Sequence, residues 1–125
     1  MTQNRVLGAS FTVQTYQSAA GNQALTTFWQ WDELAILTAT GFPVTVTLAP
    51  VTPQPPQAGD GDRIVIKDAS GNAGAIPITI QATGGTTILT PSHAGGPVTS
   101  MQIAANFGEV TFTYSFTLNA WMASA

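Results

Sequence analysis

The sequence predicts an all-β domain, and three observations point to it. Apolar and polar residues alternate with a period of two over several runs, most clearly from Val110 to Leu118. Residue types that favour strands, namely threonine, valine, isoleucine and the aromatics, are frequent in these runs. Turns rich in glycine and proline separate them. We therefore expect a single antiparallel β-sandwich or a barrel-like, tulip-type domain, with an N-terminal extended arm and at most one short helix.

The first alternating run is an N-terminal strand or an extended arm. It includes Phe11, Val13 and Tyr16, and it precedes a segment of weaker pattern. We accordingly divide the chain into an arm or strand region, residues 1–30, and a β-domain, residues 31–125.

The segment between Asn22 and Gln30 is the one place where helical spacing occurs. Leu25, Phe28 and Trp29 have that spacing, but two adjacent threonines weaken it, so we predict at most one short turn of helix.

Later alternating runs predict the strands of the sheet. They are Val44 to Leu48, Ile64 to Ile66, Ile76 to Ile80, and Val110 to Leu118, the last being a long strand or a hairpin. Between the first two of these runs, Ala49 to Asp62 contains four prolines and two glycines, which predicts a long surface loop.

The composition excludes several classes of function. Only 7% of the residues are charged, against about 25% in typical domains, which suggests a surface covered by other copies or by a larger assembly. With Arg5, Arg63 and Lys67 as the only cations and a net charge of -3, no basic surface is available for nucleic acid. The absence of cysteine excludes disulfides and thiolate metal sites.

Neither a membrane span nor a targeting segment is expected. The longest aliphatic run, Leu34 to Leu37, is far shorter than the roughly 20 residues that cross a bilayer. The first residues have no apolar core of the kind found in signal peptides.

The turn "DASGN" raises the question of a ligand site. Asp68, Ser70 and Asn72 alternate as in the first half of a calcium loop, but Ala73 stands where such a loop needs glycine and Thr79 where it needs glutamate. Because these residue types also form tight turns by bonding their own backbone, we favour a turn and expect no metal or cofactor.

Other candidate sites have weak support in the sequence. Asp60 and Asp62 could form a carboxylate pair for hydrolysis, although acids at the end of a proline loop are usually solvated. His93 is the only histidine and is more typical of a surface residue than of a catalyst. We therefore predict no enzyme activity and no catalytic residues. Trp29, Trp31 and Trp121 could contact a glycan, but core or interface positions are more typical of such residues.

Four segments resemble a known family. They are "DELAILTATGFPVTVTLAP", "GDRIVIKDASGNAGAIPITI", "GGTTI" and "NFGEVTFTYSFTLNAWM", and they are similar to a β-domain of tailed-bacteriophage virion proteins that include capsid decoration proteins, head fibres and tail fibres. The resemblance runs from Asp32 to Met122 and is most specific from Ile66 to Ile80. Two features depart from it: the loop from Ala49 to Asp62 is longer and richer in proline, and the turn from Ser115 to Asn119 lacks the usual Asp-Gly.

The resemblance implies a structural protein of the virion, usually trimeric, with no catalytic residues. Fibres and spikes normally add heptads, collagen-like repeats or a β-helix, and the sequence shows none of these. We therefore expect a capsid cement protein, made in the host bacterial cytoplasm, that binds the major capsid protein on the outer capsid surface as a homotrimer. The alternative is a tail-fibre or head-fibre protein that attaches to a host receptor or glycan.

The predicted interface residues follow from alternation and aromatic size. We expect an arm anchored by Phe11, Val13 and Tyr16, with further contacts at Trp29 and Trp31. The predicted core or interface of the trimer comprises Phe112, Tyr114, Phe116 and Trp121.

Overall fold

The computed structural model describes residues 12–28, 31–49, 61–83, 85–90 and 96–124. These residues contain strands and no helix, which confirms the predicted all-β class. No helix that could cross a membrane is found among them. The strands are β1 Val13–Gln17, β2 Ala24–Thr26, β3 Glu33–Leu37, β4 Thr45–Thr47, β5 Arg63–Asp68, β6 Ile78–Gln81, β7 Thr87–Leu89, β8 Ser100–Ile103, β9 Glu109–Ser115 and β10 Ala120–Ser124.

The strands form two sheets of mixed direction. One sheet has the order β1-β3-β5-β9-β10-β7, and the other has the order β2-β4-β6-β8. The pairs β1-β3, β3-β5, β2-β4, β4-β6 and β7-β10 are parallel, whereas β5-β9, β9-β10 and β6-β8 are antiparallel. The two-layer architecture agrees with the predicted sandwich. The predicted antiparallel pairing is only partly found, because both sheets also contain parallel pairs.

Four of the five parallel pairs arise from three stacked rungs, which we define as residues 13–26, 33–47 and 63–81. Each rung contributes one strand to the six-stranded sheet, turns a corner, and contributes one strand to the four-stranded sheet. Successive rungs pair in parallel in both sheets, as in a short β-solenoid. Alternation in the sequence did not predict this parallel stacking.

The corners of the first two rungs are built alike. Each is closed by an isolated bridge, Ala19 with Asn22 and Ala39 with Phe42, and each contains a glycine at positive φ. The backbone N–H of Ala39 donates to the Ser18 hydroxyl at 2.8 Å, so the two corners are also bonded to each other. The third corner, between β5 and β6, is longer and has a different construction.

One hydrophobic core lies between the two sheets. Alternate residues of the strands point into it, as the period of two predicts, and register places them in rows such as Leu34, Ile66 and Val110. The buried core residues predicted by alternation are Val44, Val46, Leu48, Ile64, Ile66, Ile78, Ile80, Val110, Phe112 and Tyr114.

The first rung closes one end of this core. Gln14 pairs with Leu34 and Tyr16 with Ile36, so two polar side chains occupy positions that are aliphatic in the second rung. Tyr16 is half-buried, and its hydroxyl donates to the Asn22 carbonyl at 2.7 Å. Polar substitutions of this kind are typical of the terminal repeat of a stack.

The N-terminal region therefore contributes strands to both sheets. Of the two alternatives for the first run, residues 13–17 form a strand, and Phe11 lies outside the described residues. Ala24–Thr26 forms the strand β2 and no helical turn, which agrees with the prediction of at most one short helix. Leu25 packs against the core because β4 pairs with this strand. Trp29 lies outside the residues described.

The C-terminal run forms a hairpin, one of its two predicted alternatives. β9 ends at Ser115 and β10 returns from Ala120, which pairs with it. Phe116 and Leu118 lie in the connecting turn instead of the strand, and both are exposed, at 53% and 56%.

We predict that the two faces of β5 respond differently to truncation. Ile66→Ala removes a fully buried side chain and should lower the free energy of unfolding by about 2 to 5 kcal/mol. Val65→Ala changes the adjacent, outward-facing and half-buried position, and should cost about 1 kcal/mol or less. Urea unfolding of both variants measures this, and equal losses would contradict the described register.

Candidate functional site

The carboxylate of Asp68 is the centre of a hydrogen-bond cluster at the third corner. Asp68 ends β5 and is 0% exposed. Its Oδ1 accepts from the Ser70 N–H at 3.2 Å, the Ser70 hydroxyl at 3.0 Å and the Gly71 N–H at 3.1 Å. Its Oδ2 accepts from the N–H groups of Ala73 and Phe107, both at 3.0 Å. One side chain thus fixes the local turn and a second, distant turn.

Ser70 and Asn72 connect the same corner to the second rung. The Thr38 N–H donates to the Ser70 hydroxyl oxygen at 3.1 Å, and the Asn72 side-chain amide donates to the Thr38 carbonyl at 2.8 Å. The three polar residues of "DASGN" are therefore used in bonds within the fold, as the turn interpretation predicts.

Two opposing effects act on the pKa of Asp68. Burial raises this pKa, but the hydrogen bonds from Ala73, Phe107 and Ser70 together lower it, and the net result is a pKa below the ordinary value for aspartate. The ionised carboxylate is therefore balanced by N–H and O–H dipoles.

This environment is unsuited to a cation. Both Asp68 oxygens already face the positive ends of donors, and a metal ion would have to displace them. Within the described part of the chain, no group of three or more acidic or histidine side chains could hold a metal ion.

The turn Ala104–Gly108 docks onto the third corner. Phe107 donates its N–H to Asp68, has a left-handed backbone with φ of 59°, and leaves 63% of its side chain exposed. Its ring lies over Gly71, where an added Cβ would be 2.4 Å from the ring Cζ. The Asn106 side-chain oxygen accepts from the Gly74 N–H at 2.7 Å. Sequence reasoning missed this turn, although "NFG" after a strand is a turn signal.

The remaining candidates from the sequence are the carboxylates of Asp60 and Asp62 and the imidazole of His93. Asp60 and His93 lie outside the described residues. Asp62 is buried, unlike the solvated acid expected, because it directly precedes β5 and its carbonyl accepts from the Tyr114 N–H at 2.9 Å.

The predicted interface residues fall into two groups. Phe112, Tyr114 and Trp121 are buried in the chain's own core, with the Tyr114 and Trp121 rings 5.4 Å apart, so they pack within one chain in this structure. They face inward because β9 and β10 lie across the core from the second sheet. Val13 and Phe116 are exposed, whereas Tyr16 and Trp31 are half-buried. For these four residues the interface stays a prediction.

An aromatic cluster lies between the connection from the first to the second rung, the start of β5, and Trp121 in β10. The rings of Phe28 and Trp31 are 6.3 Å apart, and both line a small cavity with Arg63 and Trp121. The volume open to a water-sized molecule is about 10 Å³, which is roughly one water. The cavity between these residues is therefore too small for a sugar ring, and a glycan could contact only their exposed edges.

No protein-family model matches this sequence, and no curated protein matches it.

We predict that Asp68→Asn destabilises the fold strongly. The amide keeps one acceptor but turns an NH₂ group toward backbone donors, so several charge-assisted bonds are lost at a buried position. The free energy of unfolding should fall by about 3 to 5 kcal/mol. The control is Glu109→Gln, an exposed carboxylate in β9, which should change it by about 0.5 kcal/mol or less. A similar small loss for both variants would show that the cluster contributes little.

Gly71 and Gly41 offer a matched pair of alanine substitutions. Both have positive φ, +77° and +84°, so each alanine should cost about 1 to 2 kcal/mol of backbone strain. Only at Gly71 would the new Cβ also meet the Phe107 ring, since nothing lies within 4 Å of that position at Gly41. We therefore expect a larger fall in melting temperature for Gly71→Ala. Equal falls would argue against the described contact between Phe107 and Gly71.

Proposed function

We propose that this protein is a structural protein of a tailed-bacteriophage virion. In this proposal it binds the major capsid protein on the outer capsid surface as a homotrimer and acts as a cement for the shell. The sequence segments that resemble virion β-domains support this assignment. The scarcity of charge supports it as well, because such a surface is suited to contact with other protein chains.

The observation that carries the choice of a cement role is the finite rung stack. A fibre shaft would repeat its rungs over a long distance, whereas here three rungs are followed by the antiparallel strands β8 and β9. At the other end, Gln14 and Tyr16 give the first rung a partly polar inner face. A short stack with different elements at its two ends suits a compact unit that sits on a lattice.

Cement activity would follow from binding to the assembled shell. A protein that binds the shell and not its dissociated subunits stabilises the shell by mass action. A trimer that contacts several capsid subunits at once gains effective affinity from the linkage between its sites.

A second candidate function is host attachment as part of a head fibre or tail fibre. It is favoured by the parallel stacking of rungs, an architecture found in fibres, and by the Phe28 and Trp31 pair, since Phe28 is exposed. Exposed aromatic rings can contact the apolar faces of sugars. This candidate predicts binding to bacterial cells or isolated glycans in place of binding to shells.

Shell binding can be tested with a design that leaves the fold intact. Deletion through Tyr16 would remove most of β1 and uncover Leu34 and Ile36 in β3, so loss of binding could reflect loss of folding. A deletion of residues 2–11 leaves β1 in place. Val13→Ser tests the exposed anchor on β1, and Leu118→Ser is its control because the two side chains are similarly exposed, at 52% and 56%.

We expect the full chain to bind empty shells and raise their melting temperature. Deletion of residues 2–11 should reduce binding, and Val13→Ser should weaken it about tenfold, as for an apolar hot spot. Leu118→Ser should bind normally. Cosedimentation and differential scanning calorimetry of shells measure both effects. Full binding by the deletion and by Val13→Ser would contradict anchoring by this region, whereas binding to host cells and not to shells would favour the fibre function.

A further inference from the structure

The contact between the Ala104–Gly108 turn and the loop Ala69–Pro77 is made outside the paired strands. The turn joins β8 to β9, and each of these strands has its own partner, β6 and β5 respectively. The turn also keeps an internal bond from the Gly108 N–H to the Ala105 carbonyl at 2.9 Å. Loss of the bonds that Phe107 and Asn106 make to Asp68 and to the loop would therefore break neither strand pair.

Ionisation of Asp68 favours the closed arrangement. As an anion, Oδ2 accepts from Ala73 in the loop and from Phe107 in the turn, and so joins the two segments. A proton on the carboxyl group would place an O–H donor among N–H donors and remove acceptor capacity. Phe107 would then lose the bond that helps to hold its left-handed backbone.

No other described charge is placed to take over this role. In the strand register, Lys67 of β5 lies opposite Glu109 of β9, and Glu33 of β3 lies opposite Val65. These positions alternate with the buried ones, so all three charged side chains point away from the interior. The loop Ala69–Pro77 and the turn contain no titratable side chain. Tyr16 shares the inward row of Asp68 but lies two strands away, with Ile36 between them.

We propose that Asp68 is an acid-sensitive latch, which holds the Ala104–Gly108 turn on the third corner while ionised and releases it when protonated. The direction follows from the pKa, which is lower in the folded state than in the unfolded chain. The stabilisation is therefore complete at neutral pH, above the unfolded pKa, and is lost as the pH falls through the folded pKa. This inference does not depend on the proposed function.

Amide hydrogen exchange measured by NMR tests the latch. The reporters are the amides of Ala73 and Phe107, and the references are Val65 and Tyr114, whose N–H groups bond to the carbonyls of Asp32 and Asp62 at 2.9 Å. Exchange is normalised to the intrinsic rate at each pH. In acid, the wild type should lose at least about tenfold more protection at the reporters than at the references.

Two variants complete the test. Asp68→Asn should show the same selective loss already at neutral pH, and Glu109→Gln should retain the acid dependence of the wild type. If Asp68→Asn does not fold, the acid titration of the wild type decides alone. Reporters and references that lose protection together at every pH would overturn the latch, because Asp68 would then respond only to unfolding of the whole domain.

Discussion

The in-register parallel stacking of three rungs is the constraint on which the rest of this structure depends. A single rung has an apolar face on each of its two strands. These faces are buried only when the two sheets pack together and a neighbouring rung lies alongside. A slip of one residue would turn every buried side chain outward, so the rows of Leu34, Ile66 and Val110 hold the register. The corners must then lie above one another, and their polar groups must bond from rung to rung.

Asp68 marks the place where this repetition ends. The first two corners are short and closed by similar bridges, whereas the third must pass from the stack to a longer loop and meet the Ala104–Gly108 turn. A buried carboxylate can organise such a junction because it accepts hydrogen bonds from several backbone N–H groups that have no partner in the strand ladder. The close approach of Phe107 to Gly71 adds a requirement for glycine at one position of the corner. The junction is thereby fixed by a few residues whose effects are coupled.

Alternation in the sequence was enough to predict the all-β class and the inward faces of the later strands. It could not predict strand direction, because parallel partners here lie about one rung apart along the chain and the corners share little beyond a glycine. Leu25 suggested a helix because a three-residue strand is too short to show a period. The turn role of Asp68 was expected from its residue type. Its bond to Phe107 joins positions that are 39 residues apart and could not be predicted from local pattern.

Aromatic size indicated burial for three of the predicted residues. Phe112, Tyr114 and Trp121 are large enough to suggest interfaces, yet a small domain needs such side chains for its own core. The exposed Val13 and Phe116 remain better candidates for contact with another chain.

Cryo-electron microscopy of the virion tests the proposed function most directly. The account predicts density for this domain in many copies on the outer surface of the shell, grouped in threes and in contact with the major capsid protein. Density confined to a few copies on the tail, or to a fibre away from the shell surface, would contradict the cement role.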